Sequence, residues 1–197
     1  MKNIFCIEAD WEATRPKRIS IAPMLECMSG IYPDLKCFFK TANTLEELTY
    51  CLNKLNEIKY SNRGSGPYIV IFAAHGQPGM LKFGREWINL DDIVRIAIGI
   101  DDEIFCEDIV HFAACHMMKA NPKTVREFMV ETGAGVVTGF NGRVGMVDSV
   151  AFAMILVETL RAKSNPKKAV NYALENYADL CNRLRFKALY KKRRPAR

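Results

Sequence analysis

The stretches Ile69–Gly79, IVIFAAHGQPG, and Ile109–Met118, IVHFAACHMM, decide the fold of this chain. Each begins as an apolar, β-branched run of the kind that forms a buried strand, and each runs into a reactive side chain. His75 follows the first run and Cys115 follows the second. Ligands bind beyond the carboxyl ends of the strands in a parallel sheet, so the sequence predicts that an imidazole and a thiol meet there. These two groups are the minimum pair for thiolate catalysis.

Outward from these two runs, strands and helices alternate along the chain. Further strands are predicted at 3–8, 35–39 and 135–139, with a hairpin at 80–88. Helices are predicted at 18–30, from the capping box formed by Thr44 and Glu47, from Asn89 to Gly99, from Pro122, over 146–162, and from Asn165 into the basic end. This order predicts an α/β fold with a mostly parallel sheet and helices on both faces. The strands that end at His75 and Cys115 are expected to be neighbours.

Length and composition fit one domain with a sizeable core. The chain has 197 residues, 49% of them apolar, and no apolar run is long enough to span a membrane. Seven cysteines without a CxxC pair, and an N-terminus without the features of a signal peptide, predict a cytoplasmic protein. We expect an α/β domain over 1–163. A C-terminal helix and basic tail over 164–197 would pack on that domain or extend from it.

Positive charge is concentrated at the C-terminal end. Residues 183–197 contain eight Lys or Arg and no acid, while the whole chain carries +6, so the remainder is nearly neutral. A basic end binds nucleic acid or acidic partners in some proteins, and in others it is a solvated helix end favoured by the helix dipole. No nucleic-acid recognition module accompanies this basic end, so a solvated helix end is favoured.

The two strand ends, in this order of elements, resemble the caspase-like (clan CD) cysteine peptidases. In that group an apolar strand ends in His-Gly, a hairpin and a helix follow, and a further strand ends in Ala-Cys, as at His75-Gly76 and Ala114-Cys115. The resemblance covers residues 1–163 and is greatest to small bacterial caspase-like and CHAT-type domains. It implies a caspase-like three-layer α/β/α sandwich and a cysteine-type endopeptidase, which is a hydrolase.

The resemblance also implies a role for each matching residue of the site. Cys115 would be the nucleophile, and His75 would protonate the leaving amine. The backbone N–H groups of Gly76 and Cys115 would bind the oxyanion. An active enzyme of this kind would act on a protein or peptide and would be held off by a regulatory partner or ligand.

Substrate preference would come from residues near the carboxyl edge of the sheet. Glu8, Asp10 and Asp148 are the candidate substrate-binding residues. In metacaspase and clostripain relatives, acids near strand ends hold a basic residue of the substrate, which favours Lys or Arg here. Arg15 and Arg143 would instead support an acidic preference, as in caspases.

Two departures from the family pattern keep a second function open. The run after Cys115 is His116-Met117-Met118, with no Gly to shape the pocket, and no obvious site for processing into subunits is present. The alternative is a catalytically inactive caspase-like module that binds a protein or nucleic acid. A flavodoxin-like or nucleotide-binding protein is disfavoured because no Gly-rich loop follows the first strand.

The two other histidines are His111 and His116. Alternation along its strand places His111 on the face opposite Val110 and Phe112, which favours a core residue. His116 either shapes the site or caps the next turn. No two of His75, His111 and His116 show the spacing of zinc ligands together with an acid, so no metal is expected. No cofactor is expected either.

Overall fold

The computed structural model describes residues 2–11, 20–62, 68–163 and 165–191. The strands in these ranges are β1 (Lys2–Glu8), β2 (Leu35–Thr41), β3 (Tyr68–Ala73), β4 (His75–Gln77), β5 (Met80–Phe83), β6 (Glu86–Asn89), β7 (Ile109–Ala113), β8 (Val136–Phe140) and β9 (Phe186–Tyr190). The main sheet has the order β2-β1-β3-β7-β8-β9. Its first five strands are parallel and β9 is antiparallel to β8.

Helices cover both faces of this sheet. They are α1 (Ala22–Ile31), α2 (Leu45–Ser61), α3 (Leu90–Ile100), α4 (Pro122–Thr132), α5 (Met146–Ala162), α6 (Pro166–Asn176) and α7 (Ala178–Arg183). Leu52, Ile93 and Phe128 bring α2, α3 and α4 into the core of one face. Leu25, Leu156, Val170 and Cys181 bring α1, α5, α6 and α7 into the core of the other face. The predicted three-layer α/β/α sandwich is therefore confirmed.

The strands β3 and β7 lie at the centre of the sheet. Every residue of both strands is buried, because helices cover both faces and each strand has a neighbour on either side. They pair in parallel, and Ala73 lies opposite Ala113 at the end of the register. The predicted adjacency of the two strands is confirmed, and the chain leaves both at the same edge of the sheet.

A small second sheet follows β3. The predicted hairpin over 80–88 is present as β5 and β6, and β4 adds a third antiparallel strand. The turn between β4 and β5 needs Gly79, whose φ of 70° is in the left-handed region. His75 therefore begins a strand of this second sheet after the chain leaves the main one. This pairing restrains the backbone of His75 and Gly76.

The C-terminal segment differs from the predicted helix end. The chain forms α6, α7 and then β9, which pairs with β8 as an edge strand of the main sheet. Arg185 turns the chain with a left-handed φ of 50°, and Phe186, Ala188 and Tyr190 then alternate toward the α5 and α6 layer. This period of two favours a strand, although the neighbouring cations suggested a helix end. Residues 192–197 of the tail lie outside the described ranges.

Two further observations concern the start of α1 and the length of the apolar helices. The helix predicted over 18–30 begins at Ala22, and the part of it at 18–19 falls outside the described residues. Within the described ranges, no helix is both long and apolar enough to cross a bilayer.

His111 lies in the core between β7 and the α5 layer, as its place in the strand predicted. Its Nδ1 donates to Thr138 Oγ1 at 3.0 Å, and the Thr138 hydroxyl donates to the Val110 carbonyl. The rings of Phe140, Phe152 and Phe186 surround it. Complete burial lowers the pKa of His111 from 6.5 to about 3, so its imidazole is neutral.

We expect His111 to make the fold sensitive to acid. Because its native pKa lies below the unfolded value, stability is complete above pH 6.5 and is lost as the pH falls toward 3. The free energy of unfolding should drop by about 3 kcal/mol more in the wild type than in His111→Leu between pH 7 and pH 4. Urea unfolding at the two pH values measures this difference. Equal drops in the two proteins would contradict the assignment of His111 as a buried neutral residue.

Candidate active site

The segments that leave β3 and β7 lie against each other at the carboxyl edge of the sheet. A Cβ on Gly76 would be 2.5 Å from the carbonyl oxygen of Cys115 and 2.8 Å from the Cβ of Ala114. Real Cβ atoms do not approach a backbone atom this closely, so the contact requires glycine. Further along, the Gly79 N–H donates to the Met117 carbonyl at 3.3 Å. His75 and Cys115 are therefore carried by two adjoining segments.

The thiol of Cys115 is half-buried and held by the loop that follows β8. The N–H of Val144 donates to the sulfur at 3.4 Å, and the sulfur lies 3.7 Å from the Val144 carbonyl, which accepts from the S–H. The next residue, His116, donates its N–H to the Gly142 carbonyl at 2.9 Å. Its φ of 57° is left-handed, and its side chain forms no hydrogen-bonded cap on the 3₁₀ turn of Met117–Lys119. The backbone of 142–144 thus fixes the position of the Cys115 thiol.

The ring of His75 is exposed and is oriented by Trp11. Its Nε2 lies 2.7 Å from the Trp11 carbonyl oxygen. A carbonyl only accepts, so Nε2 carries hydrogen and Nδ1 is the basic nitrogen of the neutral ring. The indole of Trp11 also meets the imidazole edge-on, with the centroids 5.4 Å apart. In the described structure His75 and Cys115 are not hydrogen-bonded to each other.

Glu8 has partners within the chain. It is fully buried, and its Oε1 accepts from Trp11 Nε1 at 2.9 Å and from the Ile21 N–H at 2.8 Å. Its Oε2 accepts from the Ser20 hydroxyl at 2.6 Å. These three donors all belong to the chain, and the contact of Glu8 with substrate stays a prediction. A buried carboxylate is stable only where donors replace its water, and three donors do so here.

The other predicted substrate residues lie apart from this network. Asp10 is half-buried after β1, and its N–H donates to Asn43 Oδ1 at 2.8 Å. Asp148, in the first turn of α5, forms an ion pair with Arg183 at 3.0 Å. Arg143 is exposed beside Val144, and Arg15 falls outside the described ranges. Within these ranges, no three His, Cys, Asp or Glu side chains are grouped as a metal site.

Sequence reasoning missed two residues of this site, Trp11 and Val144. Both act on the reactive side chains through backbone atoms, and Val144 uses its N–H and carbonyl alone. Backbone groups are the same for every residue type, so no motif identifies them. The indole N–H of Trp11 was the one available signal, because a tryptophan near a buried acid needs an acceptor.

Comparisons with known proteins agree with this architecture. A model described as a family of unknown function, DUF6642, matches residues 1–190. No curated protein matches the sequence. Among solved structures, a secreted C11 cysteine protease from Bacteroides thetaiotaomicron, bound to an irreversible peptide inhibitor, superposes with a TM-score of 0.57 at 12% identity. A caspase-1 from Spodoptera frugiperda superposes with a TM-score of 0.49 at 14% identity.

These alignments include most of this chain and a smaller share of each matched chain. The alignment with the Bacteroides protease includes 90% of this chain but 59% of that chain, and the one with the insect caspase includes 82% and 68%. The chain therefore spans a little under three fifths of the bacterial protease. At 12% identity, the likeness to that protease establishes a caspase-like fold.

We expect Gly76→Ala to disturb the contact between the two segments. The new methyl group would meet backbone atoms of Cys115, which cannot rotate away, so the variant should lose about 1–3 kcal/mol of stability. It should also change the rate at which Cys115 reacts with iodoacetamide. Gly99→Ala in α3 is the matched control, because nothing lies within 4 Å of its Cβ and alanine suits a helix better. If Gly76→Ala matches wild type in both measurements, the described contact is wrong.

Proposed function

We propose that this chain, which belongs to the DUF6642 family, is a caspase-like cysteine endopeptidase that uses Cys115 and His75. The observation that carries the proposal is the approach of Gly76 to the backbone of Cys115, which leaves no room for a Cβ. The approach supports the proposal because it brings the segment that carries His75 against the segment that carries Cys115. The caspase-like fold supports the same chemistry by analogy, and the geometry of the two segments supports it independently.

The reaction follows from the groups at the two strand ends. The thiol proton passes to Nδ1 of His75, and the sulfur of Cys115 attacks the peptide carbonyl carbon. The C–S bond forms and the carbonyl becomes an oxyanion. The C–N bond then breaks, the amine leaves with the proton from His75, and a thioester remains. Water attacks the thioester with His75 as base, which releases the acid and restores the thiol.

Backbone groups stabilise the charges that develop in this reaction. The N–H groups of Gly76 and Cys115 belong to the two adjoining segments and would bind the oxyanion, each donor being worth about 3 kcal/mol. The Val144 N–H points at the sulfur, and a hydrogen bond to an anionic sulfur is stronger than one to a neutral thiol. The Trp11 carbonyl holds Nε2 and leaves Nδ1 for proton transfer.

Substrate preference remains part of the proposal. Glu8, Asp10 and Asp148 stay the candidate acids for a basic substrate residue, although Glu8 is bonded to donors of the chain and Asp148 is paired with Arg183. Arg143 is exposed and favours an acidic residue instead. Peptides with Lys, Arg or Asp before the scissile bond distinguish these preferences.

We also propose a cytoplasmic location for this protein. Seven free thiols favour a cytoplasmic location. Kinship with bacterial CHAT-type domains, a regulatory protein partner and the binding of nucleic acid by 183–197 stay as predictions from the sequence.

One observation favours the alternative of an inactive interaction module. The sulfur of Cys115 is half-buried and engaged by both backbone groups of Val144, so a substrate must displace the contact with the Val144 carbonyl. A module of this kind would keep the fold and bind its partner without cleavage. Activity measurements separate it from the enzyme.

We expect Cys115→Ala and His75→Ala each to abolish peptide cleavage while the fold remains intact. Each side chain lies at a strand end, outside the two hydrophobic cores, so its removal should cost little stability. The double variant should be no less active than either single one, since the residues act as a unit. Cys27→Ala, which removes an exposed thiol from α1, is the control and should keep full activity. Cleavage that survives in Cys115→Ala would contradict the assignment, and absence of cleavage of every peptide by the wild type would favour the inactive module.

A further inference from the structure

We infer that Glu8 is a positioning residue, which orients His75 through Trp11. The inference rests on the proposed function for its catalytic meaning, but its geometry stands independently. The sequence predicts a contact between Glu8 and substrate, and the hydrogen bonds of its carboxylate support this different task. It accepts from the indole of the residue whose carbonyl holds the imidazole.

Trp11 is held at two points. Its indole N–H donates to Glu8 Oε1 at 2.9 Å, and its carbonyl accepts from His75 Nε2 at 2.7 Å. The indole ring also rests edge-on against the imidazole. When both the side chain and the carbonyl of one residue are held, its backbone cannot rotate without breaking one of the two bonds. The direction of the Trp11 carbonyl is therefore set by Glu8, and the orientation of the His75 ring by that carbonyl.

Glu8 itself is fixed by β1 and by the start of α1. It is the last residue of β1, whose neighbours β2 and β3 hold its backbone. Its carboxylate also accepts from the Ile21 N–H and from Ser20 Oγ. A side chain that is fully buried and bonded to three donors has a single available position. Through Glu8 and Trp11, the main sheet thus restrains the exposed imidazole of His75.

The two oxygens of Glu8 carry different bonds, and this gives a sharp test. Within the described ranges, Oε1 accepts from both Trp11 and Ile21, whereas Oε2 accepts from Ser20, whose hydroxyl is also able to accept. Glu8→Gln keeps a carbonyl oxygen at the position of Oε1 and places an amide N–H donor at the position of Oε2, toward Ser20. Glu8→Ala removes every acceptor. The glutamine variant should therefore rescue the orientation of His75, and the alanine variant should not.

The direct readout is the ¹⁵N spectrum of the imidazoles. The chain has three histidines, so each ring is assignable with single variants. In wild type and Glu8→Gln, the neutral ring of His75 should hold its hydrogen on Nε2. In Glu8→Ala, the ring should populate both tautomers. If cleavage is detected, kcat should fall about tenfold or more in Glu8→Ala while KM changes little, and Glu8→Gln should stay near wild type.

Either of two results with the Glu8 variants would overturn the inference. One is a Glu8→Ala protein that folds and keeps the wild-type tautomer of His75. The other is a Glu8→Gln protein that loses it as fully as the alanine variant. If Glu8→Ala fails to fold, Trp11→Phe replaces it, because phenylalanine keeps an aromatic ring near His75 and has no N–H for Glu8. An unchanged tautomer there refutes the inference. The spectrum reads orientation without substrate, so a wild type that cleaves no peptide would refute the proposed function and leave this test intact.

Discussion

The parallel pairing of β3 with β7 is the interaction on which the rest of the molecule depends. The two strands are buried on both faces, so their register and direction are held by the whole core. Because they run the same way, the chain must leave both at one edge of the sheet, and there Gly76 lies against Cys115. An antiparallel partner, or a strand between them, would separate the imidazole from the thiol. The chemistry of the site is thus a consequence of how the core is built.

Backbone atoms of the neighbouring loops hold the side chains of Cys115 and His75 at this edge of the sheet. Val144 supplies an N–H and a carbonyl to the sulfur, and Trp11 supplies a carbonyl to the imidazole. Glu8 connects the second of these to β1, and Val144 lies in the loop that follows β8. The proposed proton transfer and nucleophilic attack both require reacting groups held in a narrow range of positions, and these ties would provide that restraint.

The sequence predicted the parts of the fold whose signals are local. The apolar runs before His75 and Cys115, and the caps at Thr44 and Asn89, each indicate one element, and the structure contains all of them. Strand β9 was missed because its alternation of Phe186, Ala188 and Tyr190 is short and lies among cations. The partners of Glu8 were missed for a different reason. A carboxylate at a strand end faces a substrate in one fold and the chain in another, and only packing decides between them.

Covalent capture by a peptidyl electrophile tests the central claim most directly. Such a probe presents a peptide to the site and reports which sulfur attacks it, without requiring the preferred residue or turnover. The wild-type protein is incubated with the probe and the adduct is mapped by mass spectrometry. The account predicts an adduct on Cys115 that forms before any on Cys27, although Cys27 is the more exposed thiol, and that forms much more slowly in His75→Ala. Modification of Cys27 first, or a rate on Cys115 that does not depend on His75, would contradict the account.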